Sequence, residues 1–102
     1  MGLDVELQDE RGETLASTSD PKNLLGGLLP SNDDQAYPFL ASIDPYGDTV
    51  FNRLQMNRFL SEWAGVVMKV QTSEETALVS AIETLARRCR DEVHLYLKFI
   101  GD

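Results

Sequence analysis

Within ten residues, Asp44, Tyr46, Asp48, Asn52 and Arg53 gather two carboxylates, a phenol, an amide and a guanidinium. If the two carboxylates converge, such a set suits binding of a small ligand or a cation, or an enzyme site built on one. The same stretch also reads as a tight turn, because Asp44-Pro45-Tyr46-Gly47-Asp48 is dense in residues chosen for backbone geometry. On that plainer reading Arg53 pairs with one of the acids. The spacing does not match an EF-hand loop, which needs acids at alternate positions and a later bidentate Glu.

Other reactive types are sparse. His94 is the only histidine and Cys89 the only cysteine, so neither finds partners for a zinc site or a disulfide. His94 alternates with Tyr96 and is a candidate general base if that strand face lines a cleft; otherwise it is a strand residue with a hydrogen-bonded ring. Cys89 falls on an apolar helical stripe, the place of a buried small hydrophobe rather than an activated thiolate. No serine stands in a nucleophile elbow. Gly26-Gly27 lacks the following Lys-Ser or Lys-Thr of a phosphate loop. The residues imply no cofactor and no metal.

The formal net charge is -8, and its placement is lopsided. Residues 1–48 hold ten acids against Arg11 and Lys22, while the remainder balances seven against seven. Such a field repels phosphates and disfavours nucleic acid as a partner. It favours a basic protein surface, with Asp4, Glu6, Asp9, Glu10, Asp33 and Asp34 as the acidic partner face. Arg87, Arg88 and Arg90 form a small basic patch, offset at once by Asp91 and Glu92. No apolar run approaches the roughly 20 residues that cross a bilayer, so no membrane partner is expected. With no charged-apolar-small leader before Leu3 and no cysteine pair, the expected location is cytoplasmic.

The elements that must position these groups are legible from periodicity. Leu3, Val5 and Leu7 alternate with Asp4, Glu6 and Gln8, predicting a strand buried on one face. A turn at Gly12 returns the chain as a second strand over 13–19, with Leu15 among its apolar residues. Asp20-Pro21 predicts a helix start, and Gly26-Gly27 and Pro30 keep that helix short. Residues 38–44 alternate Phe39, Ala41 and Ile43 with Leu40 and Ser42, predicting a third strand; 49–54 read either as a fourth strand or as irregular chain running into a helix. From Asn57 the period becomes helical. Phe59, Leu60, Trp63, Val66, Val67 and Val70 form the apolar stripe, with Arg58, Glu62 and Lys69 off it. Thr72 and Glu75 make a capping box for a second long helix, in which Leu78, Val79, Ile82, Leu85, Ala86 and Cys89 face inward. Residues 93–99 alternate strictly, with Val93, Leu95, Leu97 and Phe99 on one face; that content suits the interior of a sheet.

Residues 1–102 thus form a single α+β domain, with an antiparallel or mixed sheet of about four to five strands and two main helices on one face. The stretch Ile43-Asp44-Pro45-Tyr46-Gly47-Asp48-Thr49-Val50-Phe51-Asn52-Arg53-Leu54-Gln55, the N-terminal Met-Gly-Leu-Asp-Val-Glu-Leu and residues 92–102 resemble segments of a family of small uncharacterised bacterial proteins. That resemblance spans most of the chain. It implies a bacterial source and a stand-alone domain, and it carries no assigned activity or catalytic residue.

The favoured functional reading is a non-enzymatic interaction module, of which an immunity-like or antitoxin-like binder of a basic partner is one form. The alternative is a small-ligand-binding protein or enzyme using residues 44–53. A third class is a homo-oligomer formed through a sheet edge or an apolar patch around Trp63.

Overall fold

The computed structural model describes residues 2–101. The alternating N-terminus forms β1 (Asp4–Asp9), which turns back into β2 (Thr14–Ser19). Asp9 shapes that turn: its Oδ1 accepts from the amides of Arg11 at 2.9 Å and Glu13 at 3.0 Å. Gly12 takes φ 83°, a conformation costly for any residue with a Cβ. The hairpin carries a bulge opposite Leu7 and Gln8, which leaves Leu15 exposed rather than in the core.

β3 (Asp48–Asn52) and β4 (Leu95–Ile100) complete an antiparallel sheet of order β2-β1-β4-β3. β4 is an interior strand, as its apolar and aromatic content predicts. Its register aligns Leu97 with Leu7 on one side and Phe51 on the other, and Phe99 with Val5 and Thr49. One face of the sheet is therefore a continuous apolar surface. β4 begins two residues later than the alternation implies. Val93 is exposed and His94 adopts φ 62°, so neither extends the strand.

Two long helices cover the apolar face, α2 (Met56–Val67) and α3 (Ser73–Asp91). Phe51, Phe59 and Phe99 contact one another, with ring centroids 5.2–5.9 Å apart, and Phe59 stacks on Trp63 at 5.6 Å. Trp63 is fully buried, its Nε1–H donating to the Val79 carbonyl at 3.2 Å. Burying a ring such as Phe59 contributes about 2–3 kcal/mol. The capping box forms as expected, Thr72 accepting from the Glu75 amide at 3.1 Å and Glu75 from the Thr72 amide at 3.2 Å. Val67, expected on the stripe, is the last residue of α2 and is exposed.

Residues 38–44 are not a strand. They form a short helix, α1 (Pro38–Ala41), packed against α2. The cause is Glu62, which the stripe places off the core but which the fold buries to 4% exposure. Its carboxylate accepts from the amides of Phe39 at 3.1 Å and Leu40 at 3.0 Å, the otherwise orphaned donors of the first helical turn. Arg58, one turn earlier, holds the same carboxylate at 3.0 Å. Pro38 suits the first helical position, where no amide is needed. A cap delivered from 22 residues away leaves no local signature.

Asp20 plays the same part locally. It is buried, and its two oxygens accept from Leu24 and Leu25, each at 2.8 Å. The helix it caps is only a 3-10 turn over Leu24–Gly27, preceded by Asn23 at φ 53°.

Candidate functional site

Asp44 to Arg53 does not converge. Asp44 is spent on its own turn, Oδ1 accepting from the Tyr46 amide at 2.9 Å, while its amide donates to Thr49 Oγ1 at 2.9 Å. Tyr46 projects into solvent with 83% of its surface exposed. Asn52 closes the far end of β3, about 13 Å from Asp48 at a strand's rise per residue, and Arg53 follows it. There Asn52 caps a second 3-10 turn (Arg53–Gln55): its Oδ1 accepts from the Gln55 amide at 3.1 Å and its amide donates to Gln55 Oε1 at 2.8 Å. Arg53 pairs with neither acid. Its Nε donates to the Arg90 carbonyl at 3.2 Å, tying this turn to the end of α3. Every member of the set except Tyr46 and Asp48 is holding backbone.

Asp48 belongs to a different surface, the sheet face opposite the helices. Cross-strand register lays out three rows there. Asp4, Ile100 and Asp48 form the first, Glu6, Lys98 and Val50 the second, and Gln8, Tyr96 and Asn52 the third. Lys98 stands at the centre, half-buried, with its Nζ 3.5 Å from Asp48 Oδ2. Glu6 faces Lys98 across the ladder, yet its Oε1 is drawn sideways, accepting from Gln8 Nε2 and Thr14 Oγ1, each at 2.8 Å. Asp4, Glu6 and Asp48 thus share the face with Lys98, and of these Asp48 reaches its ammonium. Val50 and Tyr96 are diagonal neighbours in this ladder, and both expose more than a third of their surface. Among the described residues, no helix or strand packs on this face.

The remaining acids lie elsewhere. Asp9 shapes the hairpin turn, and Glu10 at its tip approaches His94, Oε2 to Nδ1 at 3.5 Å. Asp33 accepts from Ser31 Oγ at 2.7 Å and Asp34 from the Ala36 amide at 3.0 Å, in the loop leading to α1 on the helical side. The six acids therefore occupy three places, and only Asp4 and Glu6 share the open face. His94 sits in an exposed turn rather than on the strand face beside Tyr96. Trp63 itself is buried and contributes to no surface patch.

Burial pushes the Cys89 thiol up to about 11, which leaves it protonated and inert near neutrality. Among the described residues, no buried side-chain nitrogen or oxygen lacks a partner, and no three His, Cys, Asp or Glu side chains are placed to hold a metal ion. No helix among the described residues is long and apolar enough to cross a membrane. Lys98 and Val50 went unmarked in the sequence and Tyr96 was noted only beside His94, although alternation assigns Tyr96 and Lys98 to the outward face of β4. No protein-family model, curated protein or solved structure matches the chain.

Proposed function

We propose that this chain is a non-enzymatic interaction module that docks a basic protein on the open face of its sheet, with an immunity-like or antitoxin-like inhibitor as the specific form. The observation that carries the reading is the uncovered face itself, with Asp4, Glu6 and Asp48 set around Lys98 and with Val50 and Tyr96 exposed beside them. Apolar contact area supplies affinity in such a pairing. Excess carboxylate supplies encounter rate and selects against acidic competitors.

Size adds a constraint. Four strands spaced about 4.8 Å apart and about 17 Å long present roughly 320 Å² in plan. A standard interface takes about 800 Å² from each partner. The partner must therefore reach beyond the ladder, over the hairpin tip at Glu10 or the opposite turn at Tyr46.

The test is amide chemical-shift mapping with a lysine-rich amphipathic peptide as probe. Saturable shifts centred on Glu6, Val50, Tyr96 and Lys98 are expected, weakening several-fold in Asp4→Asn/Glu6→Gln and with added salt. Shifts centred on the loop at Asp33 and Asp34, or on α2 and α3, would overturn the assignment of this face.

A further inference from the structure

A concavity lined by none of the residues of the open sheet face has a different chemistry. It occupies about 350 Å³ between the 3-10 turn at Leu24–Gly27, the start of the following polar loop and Pro45. Leu3, Leu29, Leu40 and Ile43 line it, and three of these belong to the buried core. The polar lining is confined to Asn23, Ser31 and Asn32. No charged side chain lines it, in a protein whose residues are one quarter charged. The volume falls at the small end of the range typical of ligand pockets, about 300–1,000 Å³.

The rim is built rather than incidental. Asn32 is locked from behind, its Nδ2 donating to the carbonyls of Ala41 at 2.7 Å and Ile43 at 3.0 Å, and its Oδ1 has no partner among the described residues. Asn23 is held at φ 53°, a left-handed backbone that asparagine tolerates but that still costs energy. Its side-chain amide lies against Gly26, where a Cβ would come within 2.8 Å of Nδ2. The glycine is what lets that amide lie there. The Asn23 side chain caps no helix and makes no hydrogen bond within the described residues. A residue held in a sparsely populated backbone region, with an unspent polar group at the mouth of an apolar cavity, fits a ligand clamp.

We propose that this cavity binds a small uncharged molecule with a largely apolar body and one hydrogen-bonding group, such as an alcohol or amide, the body resting on Leu3, Leu40 and Ile43 and the polar group meeting Asn23 and Asn32. The absence of any charged lining residue disfavours an ionised ligand, because a charge inside the cavity would find no counter-charge. The site is separate from the open sheet face and does not depend on it.

Cyclohexanol and cyclohexanecarboxylate, which share a ring and differ in charge, are the probes. Titration of methyl-labelled protein with cyclohexanol is expected to give saturable shifts at Leu3, Leu29, Leu40 and Ile43, with the carboxylate at least tenfold weaker. Asn23→Gly suits the left-handed backbone and removes only the amide, so the fold survives and cyclohexanol binding falls roughly fivefold, as loss of one hydrogen bond implies. The proposal is overturned if the shifts do not saturate, if they are equally large at the exposed Val50 and Leu54, or if the carboxylate binds as tightly. Unchanged affinity in Asn23→Gly overturns the amide's role.

Discussion

Replacing Glu62 with alanine removes the one carboxylate that caps α1 from outside it. The Leu40 amide is buried and the Phe39 amide partly so, and both donate to that carboxylate. Each hydrogen bond to a charged acceptor is worth about 1.5–3 kcal/mol, and a stranded buried donor costs a similar amount. The Arg58 pair adds little, because Arg58 is 56% exposed and solvent screens it. The expected loss is about 3 kcal/mol for Glu62→Ala, out of the roughly 5–15 kcal/mol available to a domain of this size. At about 4–8 °C per kcal/mol, the melting temperature should fall by about 12–24 °C. Glu62→Gln keeps one acceptor oxygen and should lose about half as much. Thermal and urea denaturation measure both, and hydrogen exchange should quicken first at Phe39 and Leu40. A loss under about 1 kcal/mol for Glu62→Ala, or one matched by Arg58→Ala, would refute the assignment of α1 to this cap.

His94 sits at φ 62° without being glycine. His94→Gly should therefore be more stable than His94→Ala by about 1 kcal/mol, and equal melting temperatures would show that the turn is unstrained. Cys89, buried with its thiol near 11, should resist iodoacetamide at pH 8 in the native protein and react fully once unfolded. Its folded pKa lies above the unfolded value of about 8.5, so the unfolded state releases the proton first. The associated stabilisation is whole below that value and is lost as pH rises towards 11. Rapid native-state alkylation would contradict the burial.

The hairpin, the capped α3 and the closing strand were readable because each is a local contract. A period of two or of 3.6 residues, a capping pair and a turn glycine all lie within a few residues of what they control. Residues 38–44 misled for the opposite reason. Their alternation over Phe39, Ala41 and Ile43 is real, yet so short a run also suits a helix started by proline, and Glu62 decides between the two. The cluster from Asp44 to Arg53 misled in another way. Spacing counted its members within one short stretch, but an extended strand separates them, and turns and caps consume most of their hydrogen-bonding capacity.

Composition and periodicity alone determined the fold class, the two long helices, the interior position of β4 and an acidic N-terminal half, since each depends on residue type and near neighbours. The tertiary structure decided which acids share a surface and left one sheet face uncovered. It also buried Glu62 and Asp20 as caps, and it brought Leu3, Asn23, Asn32 and Ile43 around one uncharged cavity. Those outcomes depend on contacts between segments far apart in the chain, for which no local pattern exists.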